Sequence, residues 1–179
     1  MPRSALIVVD MINSYDHPDG DELARSAERA LPQIVRLTER AVEQDVLTIY
    51  VNDNFGAWTS NRDELVERAL GSRHAALVEP LKPRADTAFV VKARHSIFYE
   101  TPLEYLLRQE DVERIVLVGQ VTEQCILYSA LDGYIRHFAV AVPSDGTAHI
   151  HEDLARCALR MMELNMRAEV APAEEVGLS

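Results

Sequence analysis

The sequence predicts a three-layer, doubly wound, Rossmann-like α/β domain, in which helices cover both faces of a mainly parallel sheet. Short runs of β-branched and apolar residues recur along the chain, and amphipathic stretches separate them. Runs that are apolar at every position are typical of central parallel strands, because helices bury such strands from both sides. The five runs are residues 5–10 (ALIVVD), 46–51 (VLTIYV), 87–91 (TAFVV), 114–119 (RIVLVG) and 137–142 (HFAVAV).

The segments between these strands carry apolar residues at helical spacing. The apolar positions are Ile34, Leu37, Ala41 and Val42, then Leu103, Leu106 and Leu107, then Ile126, Leu127, Ala130 and Leu131. Pro32 interrupts the first of these stretches, and we expect a new helix to start there, since proline is tolerated in a first turn. A last helix over residues 151–165 is expected to lead into a weak edge strand at 167–170. The acidic tail that follows is expected to be frayed.

Length and charge restrict the class of protein. A chain of 179 residues without an internal repeat or a low-complexity linker predicts one domain over residues 1–179. The excess of 29 acidic over 18 basic residues disfavours binding to nucleic acid. No apolar run approaches the roughly 20 residues of a membrane span, and the apolar strand pattern at the N-terminus is too short for a signal-peptide core. We therefore expect a cytoplasmic protein without membrane contact.

Three chemically capable side chains stand at or just after strand ends, where ligands of such folds bind: Asp10, Lys92 and Cys125. Singly, each has an ordinary structural explanation as a helix cap, a solvated lysine or a packed thiol. Cys125 is expected near a helix N-terminus, where unpaired amides and a nearby lysine lower a thiol pKa from roughly 8.5. Cys157 lies in an amphipathic stretch and is expected to pack as a small hydrophobe. Two cysteines are too few for a disulfide framework.

Three segments resemble the isochorismatase-like cysteine hydrolases. They are the opening LIVVDMINSY, the segment VVKARHSIFYETPLEYLLR, and the segment RIVLVGQVTEQCILYSALDGYIRHFAVAVPSDGTA. The likeness extends from Ala5 to about Met162. Its most specific part is the run from Gly119 to Cys125, which matches the family's glycine, two small or apolar residues, Thr, an acidic residue, any residue and Cys. Ser96, Phe98, Thr101 and Leu103 follow Lys92 at the spacings that the family shows after its lysine.

The resemblance implies a catalytic triad. Asp10 would take the thiol proton, Lys92 would favour the thiolate, and Cys125 would attack an electrophilic carbon. It also implies a cis peptide bond between Gln120 and Val121, and an oxyanion hole formed by the backbone amides of Val121 and Cys125. Thr122 is expected to order this turn. Family members are usually oligomeric, so a homodimer or homotetramer is expected, with pockets often completed by a neighbouring chain.

No metal and no other cofactor is expected. The zinc-containing nicotinamidases of this superfamily carry Asp-x-His after the second strand, where this chain has Asn52-Asp53-Asn54. A neutral amide is a poor ligand for zinc beside imidazole. His149 and His151 form a His-x-His pattern, but it lies between a turn and a helix start, where a capping or solvated role is the commoner one.

Six residues are expected around a small-molecule substrate because they follow strand ends or precede the second turn of the cysteine helix: Asn13, Asn52, Asn54, Phe55, Trp58 and Tyr128. His95, three residues after Lys92, is also expected to line the pocket. Turn chemistry also explains the asparagines, and Trp58 is also suited to a subunit interface. The loops at 11–20 and 52–62 are expected to shape the pocket.

The favoured hypothesis is hydrolysis of a small amide, carbamoyl or related C–N substrate through a covalent thioester. One alternative is isochorismatase-type hydrolysis of a vinyl ether by acid catalysis from the aspartate, which does not require a thiol. A second alternative is a binding or scaffold protein that keeps the fold without turnover. A nucleotide-binding domain is weaker, since the first strand lacks a following G-x-G-x-x-G and the chain has no P-loop.

Overall fold

The computed structural model describes residues 3–178 and contains a parallel sheet flanked by helices. The sheet order is β3-β2-β1-β4-β5-β7, and the short β6 pairs with β4 beyond the end of β5. All strand pairs are parallel. The strands are β1 (Arg3–Val9), β2 (Leu47–Asp53), β3 (Ala88–Lys92), β4 (Val112–Gln120), β5 (Ala139–Pro143), β6 (Thr147–Ala148) and β7 (Glu169–Ala171). The predicted α/β fold is confirmed.

Residues 3–178 contain six α-helices, which lie in two layers. They are α1 (Gly20–Glu43), α2 (Arg62–Leu70), α3 (Ala75–Val78), α4 (Leu103–Gln109), α5 (Leu127–Ile135) and α6 (Glu152–Met166). Strand β1 shows how both layers form one core. Leu6 and Val8 pack with α1, α2 and α3, while Ile7 and Val9 pack with α4, α5 and α6. Alternate side chains of a strand point to opposite faces, so an uninterrupted apolar run suits this position.

Helix α1 corrects one expectation. It runs without a break from Gly20 to Glu43 and contains Pro32 in its interior, so no new helix starts there. Pro32 lacks the N–H that would bond to the carbonyl of Glu28. Both residues lie on the exposed face of the helix, where water can satisfy that carbonyl. Ala27 and Ile34 remain buried on the opposite face, and packing therefore keeps the helix continuous.

The C-terminal segment after β7 is also different from the expectation of a frayed tail. Ala173, Val176 and Leu178 are buried in the same core cluster as α1. The Arg40 guanidinium donates hydrogen bonds to the carbonyls of Ala173 and Val176, both at 3.0 Å. Apolar residues in an otherwise acidic segment thus dock it against the helix layer.

The strand order reverses beside β1, whose neighbours are β2 on one side and β4 on the other. In open parallel sheets, the connections from such neighbouring strands leave in opposite directions and open a crevice at the carboxyl edge. Asp10, Asp53, Lys92 and Gln120 end or directly follow four adjacent strands at that edge. Within residues 3–178, none of the helices has both the length and the apolar character needed to cross a membrane.

Candidate active site

Asp10 follows β1 with a left-handed backbone, at φ 55°. Aspartate tolerates this conformation better than most residues with a side chain. Its amide donates to the carbonyl of Val51 at 3.0 Å. Its carboxylate Oδ1 accepts a hydrogen bond from the amide of Asp53 at 2.7 Å. The neighbouring strand β2 therefore holds both the backbone and the side chain of Asp10, leaving Oδ2 to face Lys92.

Lys92 is the last residue of β3, and its side chain reaches Asp10, which follows β1 on the far side of β2. Only 2% of Lys92 is exposed. Its Nζ lies 2.9 Å from Asp10 Oδ2, 3.7 Å from Asp53 Oδ1 and 3.5 Å from Cys125 Sγ. A buried ammonium is costly unless it is paired, and here two carboxylates face it. Because Lys92 contacts both Asp10 and Cys125, the three predicted triad residues form one cluster.

Cys125 lies in a single π-helical turn, Thr122–Ile126, that leads directly into α5. Two neighbouring side chains tie this turn to the segment before α6. The Thr122 hydroxyl donates to the carbonyl of Ala148 at 2.9 Å. The buried Glu123 carboxylate accepts the amides of Ile150 at 3.0 Å and His151 at 2.7 Å. The peptide bond between Gln120 and Val121 is cis, as the resemblance implies.

The electrostatics of the thiol differ from the sequence-based expectation of a lowered pKa. Burial raises the pKa of Cys125 to about 12, and the negative charge of Asp10 adds to this effect, whereas Lys92 opposes it. Desolvation penalises the thiolate more than one shared ammonium stabilises it, because Lys92 is already paired with Asp10. The resting cluster is therefore a protonated thiol beside a carboxylate–ammonium pair.

The other two members of the cluster are shifted as well. Burial raises the pKa of Asp10, although the charge of Lys92 acts in the opposite direction. Burial alone lowers the pKa of Lys92, but the nearby Asp10 carboxylate and its other neighbours outweigh burial, and the pKa is raised. A carboxylate with increased proton affinity beside a protonated thiol is suited to accept a proton from it.

A cavity of about 1050 Å³ opens above the cluster at the carboxyl edge of the sheet. Asp10, Lys92 and Cys125 line its floor. Five of the seven residues expected around a substrate also line it: Asn13, Asn54, Phe55, Trp58 and His95. Trp58 is 83% exposed and lies in the loop after β2. The loops at 11–20 and 52–62 both contribute to the wall.

Asn52 and Tyr128 do not line the cavity, which corrects their expected placement. Asn52 is almost fully buried, and its carboxamide accepts the amide of Ile12 and donates to the carbonyl of Ile12, both at 3.0 Å. It fixes the loop after β1 instead of facing a ligand. Tyr128 is 47% exposed on α5 and contacts the His95 ring edge-on, with ring centroids 5.5 Å apart.

Three residues that contact or support the Asp10–Lys92 pair were not anticipated from the sequence. Asp53 lines the cavity beside Lys92. Gln120 is fully buried, and its amide nitrogen donates to the backbone carbonyl of Asp10 at 2.7 Å. The Tyr15 hydroxyl donates to the side-chain oxygen Oε1 of Gln120 at 3.3 Å. Asp53 stands at a strand end, so the argument that selected Asp10 and Lys92 applies to it too, whereas nothing local marks Gln120 or Tyr15.

Cys157, His149 and His151 lie outside the wall of this cavity. Cys157 is exposed on α6, in contrast to the packed position expected for it. His151 is the residue before α6, and its exposed side chain makes no capping hydrogen bond. Among residues 3–178, no three His, Cys, Asp or Glu side chains lie close enough together to hold a metal ion.

The parallel α/β fold gathers a cysteine, a lysine and an aspartate at the carboxyl edge of its sheet, where enzymes of this fold class have their active sites. An isochorismatase domain model matches residues 4–175. An uncharacterised isochorismatase family protein of Bacillus subtilis is 32% identical over 172 residues, covering 96% of this chain and 95% of the relative. The chain belongs to the isochorismatase family and is a hydrolase.

Two further relatives carry more specific descriptions. The maleamate amidohydrolase of Pseudomonas putida is 26% identical over 159 residues, covering 84% of this chain and 75% of that protein. The crystal structure of a cysteine hydrolase from Pseudomonas syringae pv. phaseolicola superimposes with a TM-score of 0.78 at 26% identity, covering 97% of this chain and 90% of that one. Amidohydrolases are thus among the homologues of this chain.

Proposed function

We propose that this protein hydrolyses a C–N bond of a small amide, carbamoyl or related substrate, with Cys125 as the nucleophile. The observation that carries the proposal is the position of the Lys92 ammonium, 2.9 Å from the Asp10 carboxylate and 3.5 Å from the Cys125 sulfur. A thiol, a base and a cation in one buried cluster are the groups that nucleophilic acyl transfer needs. The amidohydrolase and cysteine hydrolase relatives support the same reaction class.

In the proposed reaction, Asp10 accepts the thiol proton as Cys125 Sγ attacks the substrate carbonyl carbon. The tetrahedral intermediate collapses when the C–N bond breaks, and Asp10 returns the proton to the leaving nitrogen, which departs as ammonia or an amine. A water molecule then attacks the thioester while Asp10 takes a proton from it. The C–S bond breaks, Cys125 regains its proton, and a carboxylic or carbamic acid is released.

Lys92 stays protonated throughout this sequence and stabilises whichever partner carries negative charge, first Asp10 and then the developing thiolate. The backbone amides of Val121 and Cys125 are the proposed oxyanion donors, since both belong to the turn that carries the nucleophile. Asn13, Asn54, Phe55, Trp58 and His95 are the proposed substrate contacts, and their mixture of amide and aromatic groups fits a small polar molecule with a flat portion.

The test is ammonia release from a panel of small primary amides, carbamoyl amino acids and ureido acids. Cys125→Ser is expected to reduce turnover by at least about 1000-fold, because a serine hydroxyl is a far weaker acid and nucleophile than a thiol, and Asp10 deprotonates it much less readily. Cys157→Ser, the matched control, keeps normal turnover. Intact-mass spectrometry of a rapidly acidified reaction is expected to show the mass of the protein plus the acyl group of the substrate. Peptide mapping of the same sample is expected to place this acyl group on the peptide that contains Cys125.

Retained turnover in Cys125→Ser would exclude the thioester route. Hydrolysis of a vinyl ether that survives this substitution but not Asp10→Asn would favour acid catalysis by the aspartate instead. A chain that turns over none of the panel yet binds its members would favour the binding-protein alternative.

A further inference from the structure

Asp53 is the second carboxylate of the cluster, and the proposed reaction leaves it without a role. It ends β2 and stands directly beside Lys92 in the parallel register of β2 and β3. Its Oδ1 lies 3.7 Å from Lys92 Nζ, and its Oδ2 accepts the amide of Phe55 at 2.8 Å. Its own amide donates to Asp10 Oδ1 at 2.7 Å. Asp53 thus contacts both charged partners of Cys125.

One ammonium therefore faces two carboxylates, and the cluster carries more negative than positive charge. The other ionisable groups around the cavity belong to the segment before and at the start of α1 and to the segment after β3. They are His17, Asp19, Arg94, His95, Tyr99 and Glu100. Within the described part of the chain, none of them lies within 4 Å of a charged atom of Asp10, Lys92 or Asp53 as an ion pair. Asp53 is the charge that acts on this cluster at short range.

We propose that Asp53 is a positioning residue that sets the charge of the cluster, keeping Lys92 protonated and strengthening Asp10 as the base for Cys125. The inference rests on the function proposed for the site. A negative charge beside an ammonium favours the protonated amine, and a negative charge beside a carboxylate disfavours its ionisation. The charge of Asp53 therefore raises the proton affinity of both the Lys92 amine and the Asp10 carboxylate.

The functional reason lies in the thiol. Burial makes Cys125 a weak acid, with its pKa raised to about 12. Proton transfer from such a thiol to an ordinary carboxylate is strongly uphill, and every increase in the basicity of Asp10 reduces that difference. The charge of Asp53 contributes to raising the pKa of both Asp10 and Lys92. Asp53 is partly exposed at the cavity wall, so bound substrate that excludes water would strengthen its effect.

The experiment is a ¹³C NMR titration of the Asp10 carboxyl carbon and the Lys92 ε-carbon in wild type and in Asp53→Asn. The chain contains two lysines, Lys82 and Lys92, so lysine labelling gives the second signal as an internal reference. Asp53→Asn keeps the size of the side chain and an oxygen for the Phe55 amide. Asp16→Asn is the charge-matched control, since Asp16 is exposed in the neighbouring loop outside the cavity wall.

The expected result is that Asp53→Asn lowers the pKa of Asp10 and of Lys92 together, each by at least about half a unit. The sign of the pair is diagnostic. A variant that merely lets water into the site would lower the pKa of Asp10 but raise that of Lys92, because solvation favours both charged forms. Opposite shifts, or no shift, would overturn the inference. Asp16→Asn is expected to move neither value by more than about 0.2 unit.

The titration requires no substrate, so it separates this inference from the proposed function. If an amide is turned over, the acid limb of kcat/KM in Asp53→Asn is expected to move to lower pH with the pKa of Asp10. If no amide is turned over although the two carbons shift as expected, the proposed function fails and the charge-setting role stands. Asp53→Ser gives the same readout should the asparagine variant fold poorly.

Discussion

Cys125 and Cys157 are the same side chain in two settings of one protein. Cys125 is 9% exposed, and its Sγ lies 3.5 Å from the Lys92 ammonium at the edge of an apolar core cluster. Cys157 lies in the open on α6. The exposed thiol has free access to reagents but stands outside the cavity, while the buried thiol has a base and a cation but loses its solvation. The suitability of a cysteine as a nucleophile in this chain therefore depends on which charged groups are buried beside its thiol.

The difference also shows why a lysine beside a thiol does not by itself give a thiolate. Lys92 stabilises two acceptors at once, and the Asp10 carboxylate at 2.9 Å is closer than the sulfur. Desolvation opposes ionisation of the thiol throughout. In this arrangement the resting state holds the proton on sulfur and the negative charge on oxygen, and catalysis would need to exchange them.

The largest expected effect comes from removing the charge that holds the buried cluster together. Lys92→Met keeps the bulk of the side chain but leaves Asp10 and Asp53 without their cation. We expect a loss of about 3–5 kcal/mol in the free energy of unfolding at pH 7, because an unpaired buried carboxylate remains. Urea denaturation followed by circular dichroism measures this loss.

Two further variants sharpen this prediction. Lys82→Met removes the other lysine, which is exposed, and is expected to change stability by less than about 0.5 kcal/mol. The double variant Asp10→Asn, Lys92→Met leaves no net charge in that pair and is expected to regain much of the lost stability. A double variant as unstable as Lys92→Met would mean that packing, and not charge, holds the cluster.

The next largest expected effect is on the pH dependence of the free energy of unfolding, to which Cys125 and Cys157 are expected to contribute differently. The pKa of Cys125 is raised from 9.0 to about 12, so the folded protein holds this proton more tightly than the unfolded chain does. The resulting stabilisation is complete below about pH 9 and is lost as pH rises toward about 12. Between pH 9 and 11, wild type is expected to lose roughly 2–3 kcal/mol more than Cys125→Ser.

Urea denaturation at both pH values measures the difference, with Cys157→Ser as the control that behaves like wild type. Tyr50, whose pKa burial raises to about 12, contributes to the alkaline loss equally in all three proteins and cancels from the comparison. Parallel stability curves for wild type and Cys125→Ser would show that the buried thiol is not a source of the pH dependence.

Alkylation tests the same comparison without unfolding. With iodoacetamide at pH 8, Cys157 is expected to react at least about tenfold faster than Cys125, since the reagent attacks thiolate and Cys125 is both buried and protonated. Peptide mass spectrometry gives the two rates separately. Lys92→Met is expected to slow Cys125 further and to leave Cys157 unchanged. Faster labelling at Cys125 than at Cys157 would mean that the resting protein already contains the thiolate.

The sequence predicts the frame of this site well, for a physical reason. Parallel strands buried on both faces carry a strong apolar signal, and the architecture then requires their carboxyl ends to meet. Asp10 and Lys92 could be placed together on this basis before any contact was known. The fold class was predictable on the same evidence, whereas the helix through Pro32 was not, because packing of Ala27 and Ile34 outweighs the local effect of proline.

The failures concern interactions that depend on three-dimensional contacts. Asn52 follows a strand end as Asn54 and Phe55 do, yet its side chain bonds to the backbone of Ile12. Tyr128 was selected for its position on the cysteine helix, yet it is half-exposed and lies outside the cavity wall. The sequence predicts a lowered pKa for Cys125, but burial raises it. Residue identity indicates which charges lie near the thiol, but it does not show how much water is excluded from it. Gln120 lies in an apolar strand context that gives no hint of its contact with Asp10.

The smallest expected effect concerns the support behind that contact. Tyr15→Phe removes the hydroxyl that donates to Gln120 and keeps the ring, which packs edge-on against His74 with centroids 5.4 Å apart. The Gln120 oxygen then remains buried without this donor, and we expect a loss of about 1 kcal/mol in the free energy of unfolding. Turnover of any substrate should fall several-fold through kcat with KM unchanged, because Gln120 positions the backbone of Asp10. A stability loss without any change in kcat would restrict Tyr15 and Gln120 to the core, and Asp10 would then be held by β2 alone.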